Sequence, residues 1–442
     1  MVTENTSSYV DSYCDVVPLL CGQALPWLQQ QRADALEQLT EHGFPGLRDE
    51  EWRYTNVSVI DKKHFSPAKK SASVVIDADW LRAYQLVDAW SLVLIDGYFS
   101  AEHSNLEGLP EGVTVVSLAQ SLMDLHYAAF LEAKLNQTVS QKENGFVAFN
   151  GAYFVDGALI HVPAKQLLAK PIQVLHIATQ ELTSINTRTV IVADEMSEVK
   201  LIETFVGLDC AYLSVAVTEV FVEQNADVTL YKVQMESEKA IHFGGTYVKQ
   251  ARDARFRHDN FALGGLLARS DVHTDLDQAS ECELNGLYLG VKRQHIDNHT
   301  RINHLKLRGT SRQLYKGVLD DRARGVFQGR VVVSEDAQKT DSQMNNRNLL
   351  LSSDAEADTK PQLEIYADDV KCAHGVTVGQ LDEKSIFYLQ SRCIDEETAR
   401  NMLTFAFANE MVDKVKIKSL HDLILGQVLI RFPQEGINKE WL

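Results

Sequence analysis

A cysteine and a histidine stand two residues apart near the carboxyl end of the chain, at Cys372 and His374. The surrounding run has strand composition, and side chains two apart on a strand share a face, so both should project the same way. A thiolate beside an imidazole suits soft or borderline metals such as iron or zinc, but two ligands do not hold an ion alone. The alternation with Val370, Val376 and Val378 also fits a buried stripe, and from residue types alone a core histidine is the favoured interpretation.

Three further histidines, His295, His299 and His304, are close enough in sequence to suggest a second set of metal ligands. On a helix the first two would share a face. The run from 299 to 305 is instead typical of a loop that leads into a strand. This pattern favours polar turns and a hydrogen-bonded core histidine over a self-contained histidine-ligated metal site.

A run of charges comprises Asp320, Asp321, Arg322 and Arg324. Such a run usually marks a solvated turn. The same side chains would become candidates for catalysis if the chain were a β-helix carbohydrate-active enzyme with acidic clusters on one sheet. The amino terminus lacks the positively charged segment of a secretory signal, which weakens that alternative.

Two motifs that would indicate an enzyme are absent from the sequence. There is no G-x-x-x-x-G-K-[ST] run to cradle phosphates and no G-x-S-x-G run to present a nucleophile. We therefore expect a non-enzymatic protein, and any nucleotide energy must come from a partner.

Composition restricts the class of partner and the compartment. The 442 residues are 45% hydrophobic and 24% charged, with a formal net charge of −18. Nucleic acid or an anionic membrane would need a basic face, so protein partners are expected. No stretch of about 18 apolar residues is present to span a bilayer. We expect a cytoplasmic protein.

The six cysteines are scattered and contain no C-x-x-C pair. This spacing is neither a disulfide framework nor a zinc knuckle. A resident iron–sulfur cluster usually takes four close-set thiolates. We expect no permanently bound cofactor.

The first part of the chain, residues 1–165, reads as an α-rich N-terminal domain. Residues 23–43 and 117–135 have helical composition, whereas residues 90–99 predict a strand and a turn. The runs 147–149 and 158–162 look like strands joined by a turn at Asp156-Gly157. Pro163 to Pro171 is the expected boundary.

Residues 166–391 predict a parallel β-helix, or solenoid, and make the fold mainly β. Short strands follow one another with a weak repeat, whose central apolar residues are spaced by 29, 28, 28 and 30 residues. This period suits the coil of a parallel solenoid. A β-sandwich is the alternative, although two-residue hairpin signals are sparse. The anchors of the repeat are Val199, Val228, Phe256, Leu284 and Leu314.

Residues 392–442 predict a C-terminal helical domain. Asp395 is a suitable N-cap, and apolar residues recur at helical spacing from Ala399 to about Val415. Phe405 and Phe407 widen this stripe. So apolar a helix must cover the solenoid, pack on residues 420–429 or meet another protein.

Three runs in the second half of the chain resemble a known family. They are residues 338–351, 358–366 and 368–375, the last reading Asp-Asp-Val-Lys-Cys-Ala-His-Gly. These runs closely resemble the SufD scaffold proteins of the SUF machinery for iron–sulfur cluster assembly. The likeness extends weakly through residues 51–55 and 147–150 to most of the chain.

The resemblance implies a right-handed parallel β-helix between α-rich ends, which would form a heterodimer with SufB and a complex with two copies of the ATPase SufC. In similar proteins the histidine of the Lys-Cys-x-His-Gly run, here His374, faces a SufB cysteine where a nascent cluster forms. Cys372 would be its neighbour at this transient iron–sulfur site, with a structural role the favoured interpretation. Isolated, the chain would be a monomer or a homodimer.

The family's SufC contact lies in the C-terminal helical region. It falls here on Met402, Leu403, Phe405 and Phe407. One departure from the family is Cys393, where related sequences usually have glycine after Ser-Arg. The resemblance implies that closing of two SufC subunits moves the interface and exposes the cluster.

Overall fold

Two parallel β-sheets form the centre of the molecule in the computed structural model, which describes residues 4–70 and 76–432. In chain order, the strands are β1 (Ser66–Pro67), β2 (Trp90–Ile95), β3 (Tyr98–Phe99), β4 (Thr114–Ser117), β5 (Asp156–Val162), β6 (Ile172–Ala178), β7 (Thr183–Ala193), β8 (Glu198–Gly207), β9 (Tyr212–Val222), β10 (Asp227–Gln234), β11 (Ile241–Gln250), β12 (Arg255–Ala262), β13 (Leu267–Leu276), β14 (Glu281–Gly290), β15 (His295–His304), β16 (Thr310–Leu319), β17 (Arg324–Val333), β18 (Asp341–Leu350), β19 (Glu356–Ile365) and β20 (Lys371–Gly379).

Helices lie at both ends of the chain. They are α1 (Glu4–Asp11), α2 (Tyr13–Val16), α3 (Pro26–His42), α4 (Ser58–Lys62), α5 (Ala78–Arg82), α6 (Leu118–Ser121), α7 (Leu125–Lys134), α8 (Gly145–Tyr153), α9 (Glu383–Gln390), α10 (Glu396–Val412) and α11 (Lys418–Arg431), with 3₁₀ turns at Val17–Leu19 and Glu50–Trp52. Among the described residues, no helix combines the length and apolar character needed to cross a bilayer.

From β5 onward the chain alternates between the two sheets. The odd-numbered strands β5 to β19 stack in one sheet, called here the first sheet, and the even-numbered strands β6 to β20 stack in the second. All these pairs are parallel, and side chains from both sheets fill the space between them. The architecture is a parallel β-solenoid of about eight turns with helices at both ends, which confirms the predicted fold class.

The predicted repeat is in register for its first three anchors and then slips. Val199, Val228 and Phe256 are aligned on neighbouring strands, but the residue that pairs with Phe256 on the next turn is Cys282, not Leu284. The turn from β12 to β14 is thus shorter, with a step of 26 residues rather than 28. The average period of the repeat was enough to predict the fold. The register between two successive turns depends on the number of residues in that particular turn.

The turns explain why hairpin signals are sparse. One residue with a positive φ recurs where the chain passes from the first sheet to the second, at steps of 26 to 31 residues. A single left-handed residue turns the strand here, so the Asn-Gly pairs of tight hairpins are not needed. The residues concerned are Lys165, Met196, Asn225, Asp253, Ala279, Arg308 and Lys339.

Two predictions for the N-terminal part were wrong. Residues 147–149 belong to helix α8, because Asn144 caps its first turn by accepting hydrogen bonds from the N–H groups of Phe146 and Val147. Asp156-Gly157 begins strand β5 instead of forming a turn. A Cβ at Gly157 would lie 1.8 Å from the Arg188 carbonyl oxygen, so glycine is required by close strand approach.

The two sheets begin before the predicted boundary at residue 165. Strand β2 pairs in parallel with β6, and β5 pairs in parallel with β7. Antiparallel pairing of β3 with β2 and of β4 with β5 completes this end of the solenoid. The division of the chain at residues 165 and 391 stays a prediction, and residues 433–442 of its last part lie outside the described residues.

The aromatic segment around Trp52 packs against the first sheet. The Arg269 guanidinium lies 3.6 Å from the centre of the Trp52 ring. Thr55 donates a hydrogen bond to the Asp297 carboxylate at 2.5 Å, and its hydroxyl is 2.9 Å from His295 Nε2. These contacts make the segment a packed turn on the solenoid.

A buried ion pair holds the loop between α7 and α8 to the first sheet. The Arg188 and Glu219 side chains are almost fully buried and their closest atoms are 2.6 Å apart. Glu219 also accepts hydrogen bonds from the N–H groups of Asn136 and Thr138. One buried carboxylate therefore both pairs with Arg188 and accepts hydrogen bonds from two backbone N–H groups of the loop.

We predict that Glu219→Gln lowers the free energy of unfolding by about 3 kcal/mol or more, because Arg188 would be left buried without its counter-charge. Urea-induced unfolding followed by circular dichroism measures the change. Asp209→Asn breaks the exposed pair with Lys239 and serves as the control, for which little change is expected. An equal effect of both substitutions would contradict the assigned role.

Candidate functional site

The last turn of the solenoid leaves two strand edges open. Within residues 4–70 and 76–432, β19 pairs only with β17, and β20 pairs only with β18. The far side of each strand thus presents N–H and C=O groups that no strand of the described chain covers. We call this surface, made by β19 and β20, the open end.

Cys372 and His374 lie on β20 at the open end. Cys372 is aligned with Ser342 of β18, and His374 with Met344. Both project toward the interior side, because Met344 is buried in the core between the sheets and Cys372 packs on that core. The Cys372 side chain is half-buried, whereas His374 is exposed. The predicted shared face is therefore present, and the imidazole is not sealed inside the coil.

The Cys372 thiol continues a polar column from deeper turns. His304 Nε2 lies 2.9 Å from Ser311 Oγ, which donates a 2.8 Å hydrogen bond to Ser342 Oγ. Burial raises the pKa of the Cys372 thiol above its ordinary value, and a hydrogen bond from the Ser342 backbone acts against this rise. The thiol is thus held protonated by its surroundings until a metal or a base takes the proton.

Exposed apolar side chains surround the two ligand candidates. Val376 and Val378 follow His374 along β20, Ile365 is the last residue of β19, and Tyr366 comes directly after that strand. Apolar side chains beside open strand edges are typical of a protein interface. Sequence reasoning placed the two valines in a core stripe. The missing signal was that β20 is the last strand of the repeat within the described residues, so no strand of that part of the chain covers them.

The three-histidine cluster does not form. His295 and His299 face the outer side of β15, where His299 Nε2 is 3.0 Å from Asp297 Oδ1. His304 faces the interior, and residues 299–304 are strand rather than the predicted loop. The part of the chain that the structure describes contains no group of three or more His, Cys, Asp or Glu side chains placed to hold a metal.

The charge run lies at a corner of the solenoid, between β16 and β17. Asp320 and Asp321 cap the turn, accepting hydrogen bonds from the N–H groups of Asp321 and Lys292. Arg324 Nε donates a 2.7 Å hydrogen bond to Asp358. These charges serve the turn and the strand edge, as the solvated-turn interpretation predicted.

Helix α10 packs on the outer face of the second sheet. It begins where predicted, since the Asp395 side chain accepts a hydrogen bond from the Thr398 N–H. Phe405 is buried against the solenoid, whereas Met402 and Leu403 are half-buried. Of the four predicted SufC contacts, Met402 and Leu403 thus offer more accessible surface than Phe405.

Lys316 of β16 clamps α10 to the sheet. Its side chain is almost fully buried and donates to the Phe407 carbonyl oxygen at 3.0 Å and to the Glu410 carboxylate. The ammonium lies 4.3 Å from the centre of the Phe407 ring. Burial lowers the Lys316 pKa, and Glu410 opposes that shift. Phe407, the fourth predicted contact, is thus held by the solenoid.

Cys393 follows α9 with a φ of 66°. This is the left-handed region, where glycine is favoured at the end of a helix. Its N–H donates to the Gln390 carbonyl oxygen at 3.0 Å, so the helix ends normally. Cys393 therefore places an exposed thiol at a strained backbone position.

Family models match the sequence over most of its length. Residues 3–174 match the SufBD protein N-terminal region, and residues 176–407 match the SufBD core domain of SUF system FeS cluster assembly. The chain belongs to the SufBD family. Membership confirms the resemblance seen in the sequence and connects the chain with iron–sulfur cluster assembly.

Individual SufBD relatives cover nearly the whole chain. The iron–sulfur cluster assembly protein SufD of Escherichia coli is 34% identical over 91% of this chain and 93% of its own. A SufBD family protein of Synechocystis is 33% identical over 89% and 88%. The chloroplastic protein ABCI7 of Arabidopsis thaliana is 31% identical over 91% and 85%.

We predict that Cys372 reacts with iodoacetamide several-fold more slowly than Cys393 at neutral pH, since burial both hides its thiol and raises its pKa. Mass spectrometry of the alkylated peptides measures both rates in one sample. The difference between the two alkylation rates should become smaller as the pH rises and the Cys372 thiol ionises. Equal rates at neutral pH would contradict the half-buried position of this thiol.

Proposed function

We propose that the chain is a non-enzymatic scaffold subunit for iron–sulfur cluster assembly. It would pair with SufB through the open end, form a nascent cluster at that junction, and be driven by the SufC ATPase. The observation that carries the proposal is the exposed imidazole of His374 between two unpaired strand edges.

The open end suits a sister solenoid. A second chain that brings strands to the edges of β19 and β20 would satisfy their backbone groups. It would also cover Val376, Val378, Ile365 and Tyr366, whose exposure is otherwise unfavourable. A second copy of this chain has the same edges, so a homodimer would use the same surface when SufB is absent.

The ligand set supports a site shared between two chains. His374 offers an imidazole at the surface, and Cys372 offers a half-buried thiol two residues earlier. Iron in a cluster takes more donors than these two, and most of them are thiolates, so the partner would supply thiolate. A cluster that either chain alone under-coordinates would be released when the junction opens. This lability is what a transient assembly site needs.

The link to an ATPase follows from how the C-terminal helices are attached. Lys316 fixes α10 to the second sheet. Three residues, 380–382, join the end of β20 to the start of α9, whose Phe387 and Tyr388 side chains are exposed. A force that SufC applies to these helices would therefore reach the strand that carries His374 within a few residues.

We predict that His374→Ala abolishes cluster maturation in cells while the complex with SufB and SufC still co-purifies. The reason is that the substitution removes a ligand but leaves the strand edges unchanged. Activity of iron–sulfur enzymes in a strain that depends on this chain measures maturation.

His126→Ala is the matched control, because His126 is exposed on α7 in the N-terminal part. It should support normal maturation. Normal maturation by the His374 variant would overturn the proposed role of the imidazole. Loss of the complex in that variant would instead show that His374 holds the subunits together.

We predict that Met402→Glu weakens SufC binding by about fivefold or more, since a charge would enter a partly apolar contact. Calorimetry on the purified subunits measures the affinity. Leu125→Glu, an exposed leucine on α7, is the control and should bind SufC normally. Unchanged binding by the Met402 variant would remove this helix from the SufC contact. Phe405 is unsuitable for the test, because a charge there would disturb the core.

A further inference from the structure

His374 is the last member of a column of interior side chains on the second sheet. Each member is aligned with the one on the turn before it, about 4.8 Å away. The column therefore shows what environment each turn offers at this position. In order from the deepest turn, it contains Leu201, Leu230, His258, Leu284, Gln313, Met344 and His374.

A second histidine in this column, His258, shows the environment of an imidazole inside the coil. His258 is completely buried, between Leu230 on one turn and Leu284 on the next. Among the described residues, neither of its ring nitrogens has a hydrogen-bond partner. Burial lowers its pKa to about 3. An imidazole in this state is unavailable to any ligand that approaches from solvent.

Met344 lies between His374 and the interior of the coil. It lies directly below His374 and is 1% exposed. Its side chain crosses the interior to the first sheet, where a Cβ on Gly329 would stand 2.4 Å from its sulfur and 3.0 Å from its methyl carbon. Glycine at 329 thus lets the methionine lie across the coil as an apolar floor.

We propose that Met344 is a positioning residue for His374, whose floor keeps the imidazole at the surface of the open end. The proposal rests on the function proposed above. Without the floor, the imidazole would fill the space beneath it, as bulky side chains do beside a void in a core. The thioether sulfur of the floor is only a weak hydrogen-bond acceptor, so it does little to draw the ring inward.

Chemical modification of histidine tests the position of the ring directly. The purified full-length chain is treated with diethyl pyrocarbonate, and the rate at each histidine is read by mass spectrometry. His126 gives the rate of an exposed ring and His258 that of a sealed one. In the wild-type chain His374 should react at a rate close to that of His126.

Met344→Ala should slow modification of His374 on the order of threefold or more, as the ring moves into the space left by the methionine. Met344→Leu conserves the volume and should keep the wild-type rate. Met344→Val leaves a smaller void and replaces the alanine variant if that one does not fold, as judged by circular dichroism. A wild-type rate at His374 in a folded alanine or valine variant would overturn the proposal.

The same variants separate this inference from the function on which it rests. If His374 reacts slowly in Met344→Ala and maturation in cells is lost as well, both stand. If His374 reacts slowly but His374→Ala supports normal maturation, the positioning role stands and the proposed function fails. Equal loss of maturation by Met344→Leu, with His374 fully reactive, would assign Met344 another role and overturn the inference.

Discussion

Parallel pairing of strands is the constraint on which the rest of this structure depends. Each turn of the solenoid pairs with the backbone N–H and C=O groups of the turn before it and presents its own unpaired groups to the next turn. At the first turn these groups are paired, because β3 and β4 pair antiparallel with β2 and β5. At the last turn, within the described residues, the outer edges of β19 and β20 stay unpaired. The two ends of the solenoid therefore differ, and the ligand candidates Cys372 and His374 lie at the end whose strand edges are unpaired.

The period of the repeat and the alternation within strands were enough to predict the solenoid and the shared face of Cys372 and His374. They did not predict exposure, because Val376 and Val378 show the same alternation whether or not another strand follows. They also did not predict register beyond Phe256, since each turn length depends on local packing around its one left-handed residue. Helix α8 was missed because its apolar side chains are buried on every face, which removes the periodicity of an amphipathic helix.

The C-terminal stripe shows a related limit of sequence reasoning. A helix that packs on its own solenoid and a helix that meets a partner have the same apolar spacing. What separates them in α10 is a long-range contact, the buried Lys316 ammonium between Phe407 and Glu410. Phe405 belongs to the core, the clamp holds the half-buried Phe407 on the solenoid, and Met402 and Leu403 are half-buried without such a clamp.

Segments from before and after the solenoid reach its last turn. In the N-terminal segment, Glu50 accepts a 2.6 Å hydrogen bond from Lys360 in the middle of β19. On the other side, β20 passes into α9 after three residues. The exposed Glu50 pair is individually weak, whereas the covalent link to α9 is permanent, so the two strands of the open end are held unequally. A movement that begins at the C-terminal helices would therefore act first on β20, which carries Cys372 and His374, because α9 is covalently joined to that strand.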